Sequence, residues 1–454
     1  MVLRPRYREP VLPPTLPRMR KHLSTPGLLK AIRLSFATIP DPRSGCPIPL
    51  VDALMSGLAV FGLKYPSLLK FDEAYQNEDV IRANLASLYG VGHAPCDTQL
   101  RTRLDPVDPE WLRAAFAAIH RQLQRHKALE AYQYLDGYYL VSIDGTGQYA
   151  SSAISCPECC VKNPGKANES YYHQLLAAVI VHPDLKTVLP LMPEAITRAD
   201  GACKNDCERN AAKRLLTALR EDHPKLKLIV VEDSLASNGP HIKLLESLNL
   251  RYIIGVKPGD HQALFETVQQ RLCADQCAEY STVDDQGVER GYRWVNGVAL
   301  NQSHPDLKVN FLEYWEIQDG QERIWSWVTN IPLTQANVEA VMRGGRARWK
   351  VENETFNTLK NQGYHLEHNY GHGRQHLSTV FATLTMLAFL VDQAQELSCR
   401  LFQAARARFR SRTSLWERLR ALFTDFYIPD WKTLWEVLAT GHAATMLTPK
   451  PNTS

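Results

Sequence analysis

Three carboxylates, Asp144, Asp233 and Glu352, have the type and setting that metal-dependent phosphoryl transfer requires. Asp144 ends the apolar run Tyr138–Ile143 and is followed by Gly145, Thr146 and Gly147. Asp233 ends a second run, Leu226–Glu232, and is followed by Ser234, Leu235, Ala236, Ser237, Asn238 and Gly239. Glu352 lies in a helical stretch, Arg346–Lys360, among basic residues. Aspartates at the ends of two neighbouring strands can meet side by side, and a glutamate on a covering helix can complete a site for two Mg²⁺ (or Mn²⁺) ions. Such ions activate a water or a 3′-hydroxyl and stabilise the leaving oxygen. An Asp at a strand end also favours the turn that follows, so one such residue alone is more often structural. The third acid, set among Arg and Lys as a polyanion site requires, favours the chemical reading.

The elements that must position these residues follow from the rest of the chain. With 454 residues there is room for two or three domains and a large core. An apolar fraction of 44% and a charged fraction of 22% are those of a soluble globular protein. A net charge of +4 is mild, so affinity for nucleic acid must come from local clusters. The first 45 residues hold one cluster among prolines, and Arg406, Arg408, Arg410, Arg412 and Arg418 form another, although either serves equally as a solvated face. The best membrane candidate, Val380–Val391, falls short of the roughly 20 apolar residues a span needs and reads as a buried helix. The basic N-terminus lacks an apolar segment behind it, so a cytoplasmic, reducing setting is expected, with no membrane partner. Ten cysteines then point to metal or burial and not to disulfides.

Residues 1–45 read as a basic, Pro-rich arm, and 46–130 as a helical N-terminal domain suited to DNA, with Asp97 as the N-cap of a helix. From Tyr138 the order is strand, strand, strand, helix, strand, helix, strand, which predicts an α/β RNase H-like mixed sheet flanked by helices over 131–256. Residues 257–335 carry one helix and then alternating strands with turn residues, a mostly β insertion. The core resumes at 336–375 with the Glu-bearing helix. A C-terminal helical region follows over 376–447, and 448–454 reads as a disordered tail.

On these residues the chain resembles the DDE transposases of bacterial insertion sequences, in the branch with a β insertion and a Tyr-Arg-Glu-Lys motif on the last catalytic helix. The resemblance spans roughly Pro95 to Gly373, and its most specific part is Arg348-Trp349-Lys350-Val351-Glu352. It implies a nucleoid-associated bacterial enzyme that cleaves transposon ends and joins them to target DNA. Its expected partners are double-stranded DNA (terminal inverted repeats and target) and a second copy in a homodimer holding paired ends. Asp144, Asp233 and Glu352 would bind the metals, Arg348 and Lys360 would contact phosphates, and Trp294, Trp325 and Trp327 of the insertion would stack on a distorted end. Two positions depart from the motif: Gly345 stands where Tyr is expected, and Lys360 lies one residue beyond the expected lysine. Glu354 competes with Glu352, because helical residues two apart point about 200° apart and only one can face the metals.

A second metal site is expected between the first two strands, where Cys156, Cys159, His173 and Cys207 form a candidate structural Zn²⁺ set. His365, His368 and His372 lie in a Gly- and Tyr-rich loop, with His368 a candidate DNA contact. The alternatives to a transposase are an RNase H-like nuclease that cuts without joining and a catalytically silent, transposase-derived DNA-binding protein.

Overall fold

The computed structural model describes residues 16–41, 43, 45–197, 208–285 and 287–451. Its centre is one 12-stranded mixed sheet. In chain order the strands are β1 (Gln133–Tyr134), β2 (Tyr138–Ser151), β3 (Cys160–Lys162), β4 (Ser170–Val181), β5 (Leu189–Pro190), β6 (Glu194–Ile196), β7 (Leu228–Glu232), β8 (Arg251–Gly255), β9 (Ala278–Val283), β10 (Glu289–Asn301), β11 (His304–Gln318) and β12 (Gln321–Thr329). The spatial order is β3-β4-β2-β7-β8-β12-β11-β10-β9, with β1 beside β2 and with β5 and β6 on β4. Strand β4 runs antiparallel to β2, whereas β7 is parallel to β2 and β8 parallel to β7. This is the RNase H-like mixed α/β arrangement expected from the order of elements.

Every residue of β7 is buried. A strand with parallel neighbours on both sides and helices on both faces needs an unbroken apolar run, and Leu228–Val231 supplies it. The register sets the site: Ser142 of β2 pairs with Val231 of β7. Asp144 and Asp233 each stand two residues further on and so lie at the same level, although β7 has ended there while Asp144 is still paired with Ala177 of β4.

The β insertion continues this sheet. Strand β12 pairs with β8 through Trp327 and Gly255, Val328 and Ile254, and Thr329 and Ile253. Strands β9 to β12 form an antiparallel meander from there. The helix Gln262–Cys273 covers it with buried Leu264 and Val268, and Phe265 meets Phe311 edge-on at 5.3 Å.

The helices before and after the sheet share one apolar core. Helix Leu377–Ser398 is its axis: it is 22 residues long, and 94% of its most apolar window is buried. By length and composition it is long enough to cross a membrane, contrary to the reading of the sequence, and its burial marks it as a core helix. Lys64, at the end of helix Leu50–Gly62, is buried against Asp392 of this helix, and Tyr364 donates to the same carboxylate at 2.7 Å. Three smaller features differ from expectation. Helix Thr25–Phe36 lies within the stretch read as an arm. Cys96, not Asp97, is the N-cap, and Asp97 instead pairs with Arg101 at 2.7 Å. Part of the expected tail is paired: β13 (Phe426–Tyr427) takes β14 (Thr448–Pro449) as its partner, and Lys450 forms an ion pair with Glu78.

Candidate active site and metal centre

Asp144, within β2 and not at its end as the sequence suggests, and Asp233, just past the end of neighbouring β7, line one cleft with Glu208, Glu232 and His241. Asp144 Oδ1 accepts from the Gly145 N–H at 2.8 Å, leaving Oδ2 to face Arg348 Nη1 at 3.0 Å. The same Nη1 reaches Glu352 Oε1 at 2.7 Å, so one guanidinium bridges the first and third carboxylates. Asp233 caps the short 3₁₀ turn Ser234–Ala236, with Oδ1 accepting from Leu235 N–H at 2.9 Å. The turn-forming role and a place in the cleft therefore coexist in this residue.

Glu352 is not carried by one continuous helix. Helix Val338–Arg346 ends at Ala347, a tight turn follows, and Val351–Phe356 is π-helical before helix Asn357–Asn361 begins. Wide π turns of this kind often occur at functional sites. Ser142 Oγ of β2 donates to the Arg348 carbonyl at 2.8 Å, which holds this segment over the Asp144 strand. Glu352 faces Arg348 and Asp144, whereas Glu354 lies close enough to Lys350 to support its charge. Gly345 backs onto the buried indole of Trp327, and a Cβ there would lie 2.6 Å from Trp327 Nε1. The motif's tyrosine has no room at this position.

The electrostatics are those of crowded acids. Burial first, then Glu352 beside it, pushes Asp144 up to about 7, against the opposing pull of Arg348. Glu208 is also raised, by burial and then by Asp233 and Glu232. Its carboxylate presses on the backbone after Asp144, where a Cβ on Gly145 would stand 2.2 Å from Glu208 Oε1. His241 Nε2 meets Glu232 Oε2 at 2.6 Å, and although burial works against its charge, Glu232 holds its pKa above the ordinary value. Asp144, Glu208, Glu232 and Asp233 line this cleft with hard carboxylate oxygens of the kind that suits Mg²⁺ or Mn²⁺, although among the described residues these acids do not gather ligand atoms within 4.8 Å of one another.

The remaining candidates are placed less favourably. Trp294 and Trp327 are only 8% and 6% exposed, so the expected base stacking is corrected: both rings belong to the core of the insertion. Trp325 is half-buried between Tyr314 and the Arg346 guanidinium, which sits 4.6 Å from its ring centroid. Arg348 is engaged with carboxylates and not free for a phosphate, and Lys360 pairs with Glu367 at 2.8 Å. His368 is exposed on its loop, edge-on to Tyr370. The sequence reading missed Glu208, Glu232 and His241 in the cleft and also Trp349, which is 58% exposed beside Arg348. Its large exposure is the signal that singles Trp349 out, and only coordinates supply it.

Cys156, Cys159 and His173 do converge, but Cys207 lies outside the described residues. The fourth group beside them is His372, and the ligand atoms of all four lie within 4.8 Å of one another. Of the three loop histidines, only His372 joins this cluster.

Comparison with known proteins bears on the whole arrangement. The solved structure of a piggyBac transposase synaptic complex with hairpin DNA is similar over 89% of this chain and 79% of that one, at 10% sequence identity and a TM-score of 0.39. No curated protein matches the chain. A family model described as a transposase DDE domain matches residues 136–390, which include Asp144, Asp233, Glu352 and His372. Because that match covers more than half of the sequence, this protein belongs to the DDE-domain transposases.

Proposed function

We propose that the protein cleaves the ends of a DNA element and joins them to target DNA, with Asp144, Asp233 and Glu352 as ligands of two Mg²⁺ or Mn²⁺ ions. The observation that carries this reading is the register of β2 and β7, which sets Asp144 and Asp233 at the same level on neighbouring strands, with Glu352 tied to Asp144 through Arg348. When bound, the ions supply Lewis-acid activation of the attacking hydroxyl and neutralise charge on the leaving oxygen. The protein's own groups do the positioning. Ser142 fixes the Arg348 backbone, and the bridging guanidinium keeps two acids close together despite their repulsion. With bound cations holding these acids instead, Arg348 would be available to meet a phosphate at the reacting end. Trp349, exposed beside it, offers a ring face for an unpaired base. The N-terminal helices over 46–130 and a second copy of the chain complete the proposed assembly on paired ends.

The test is incubation of the full-length protein and Mg²⁺ with duplex DNA carrying the sequences that flank its coding region, together with a supercoiled target plasmid. Joined products support transposition. Cut ends without joined products support the nuclease reading instead. Binding without any cleavage sinks both.

A further inference from the structure

We propose that Cys156, Cys159, His173 and His372 bind one structural Zn²⁺ ion, which fastens the hairpin that carries Asp144 to the loop that follows the Glu352 segment. The Sγ atoms of Cys156 and Cys159 are 3.5 Å apart, and each is 3.3 Å from His173 Nε2. His372 Nδ1 closes the group, 3.4 Å from Cys159 Sγ. A tetrahedral ion with bonds of about 2.3 Å to sulfur and about 2.05 Å to nitrogen sets edges of about 3.8 Å between sulfurs and about 3.6 Å between sulfur and nitrogen. The observed edges are shorter by only a few tenths of an ångström, a gap that small side-chain rotations close.

The donor set and its surroundings select the ion and its role. Two thiolates and two imidazoles are soft and borderline ligands that favour zinc over Mg²⁺ or Ca²⁺. Four protein ligands, three of them buried and Cys156 half-buried, leave no open coordination position, which is the mark of a structural and not a catalytic site. The two cysteines form a tight knuckle in which Cys159 N–H donates to the Cys156 carbonyl at 3.1 Å and Cys156 N–H donates to Cys159 Sγ at 3.3 Å. A disulfide between them would need the sulfurs at about 2.05 Å, well inside their 3.5 Å separation.

The site joins parts of the chain that are far apart in sequence. Cys159 and His372 are separated by 213 positions. His173 sits on β4 opposite Tyr149 of β2, and Tyr149 meets the His372 ring edge-on at 4.5 Å. The loop is pinned again just beyond His372. Glu158, between the two cysteines, bonds His376 Nδ1 at 2.7 Å, and Asp105 accepts from the backbone N–H groups of Arg374 and Gln375. Zinc would lock together the β2–β4 hairpin and the His372 loop, which these contacts already join.

The inference is independent of DNA chemistry, so its failure and that of the proposed transposition are distinguishable. Full-length protein purified without chelators is expected to carry about one zinc per chain by plasma mass spectrometry, a content that Asp144→Asn and Cys273→Ser leave unchanged. Cys159→Ser and His372→Ala should each lose it. Should those variants fail to fold, the wild-type protein still decides. Titration of its thiols with a mercurial should release the zinc, and replacement by Co²⁺ should give the visible spectrum of a tetrahedral site with two thiolates. A wild-type chain that neither contains zinc nor takes up Co²⁺ overturns the proposal, as does a Cys156–Cys159 disulfide in the purified protein. Zinc retained by His372→Ala with an unchanged cobalt spectrum overturns the clamp.

Discussion

Replacing Asp144 with Asn is expected to stabilise the protein at pH 8 in buffer free of Mg²⁺ and Mn²⁺, even though it removes a residue on which the proposed chemistry depends. Burial, and then Glu352, pushes the Asp144 carboxyl from 3.8 up to about 7. A folded value above the unfolded one means that folding favours the protonated acid. Its contribution to stability is complete below about pH 4 and is lost as the pH rises through about 7. At pH 8 the charged group therefore costs the fold roughly three pK units at about 1.36 kcal/mol each, an upper bound of about 4 kcal/mol. The Asp144 side chain keeps 23% of its exposure and the substitution forfeits its pairing with Arg348, which together reduce the expected gain to about 2 kcal/mol. Urea unfolding of both proteins across pH 5–8 measures it, and the advantage of the variant should shrink as the pH falls. Mg²⁺ at a hundred times its Kd should stabilise the wild type by about 2.7 kcal/mol and the variant far less. A variant less stable than wild type at pH 8, by an amount that does not change with pH, would refute the idea of crowded acids awaiting cations.

Other perturbations test separate parts of the account. Gly345→Ala places a Cβ against the Trp327 ring and should cost about 1–3 kcal/mol by chemical denaturation, and an unchanged midpoint would mean the ring does not occupy that space. Trp349→Ala should leave stability within about 0.5 kcal/mol of wild type. It should weaken binding to a frayed duplex end about tenfold or more in fluorescence anisotropy, and unchanged affinity removes Trp349 from the interface. Burial lowers His120 to about 4, so its contribution runs the opposite way to that of Asp144: complete above about pH 6.5 and lost as the pH falls toward 4. The stability difference between wild type and His120→Asn should therefore shift by about 3 kcal/mol between pH 7 and pH 4, and a flat difference would contradict neutral burial of this imidazole.

The aspartates were legible because each ends an apolar run, and a fully buried strand such as β7 leaves a run of that kind in any sequence. Their alignment was not, because register arises from pairing across the sheet, and no residue of β2 announces that Ser142 will face Val231. The insertion was legible as strands, yet its continuity with the catalytic sheet depends on β12 docking along β8, which alternation cannot express. Trp294 and Trp327 were misread as DNA contacts because an aromatic in an alternating strand looks the same whether its face meets solvent or a covering helix. The proposed zinc ligands show the same limit. Cys156 and Cys159 stand out by local spacing, while His372 is brought to them only by tertiary structure and has no sequence pattern linking it to them.

The central claim is that Asp144, Asp233 and Glu352 act together on DNA phosphates. Its most direct test is end cleavage on flanking-sequence DNA by Asp144→Asn, Asp233→Asn, Glu352→Gln and Glu354→Gln, each first shown to be folded. Loss of metal-supplied stabilisation worth several kcal/mol predicts a fall on the order of 1000-fold for each of the first three, with Glu354→Gln close to wild type. Cleavage that persists in any of the three, or that is lost equally with Glu354→Gln, would contradict the assignment.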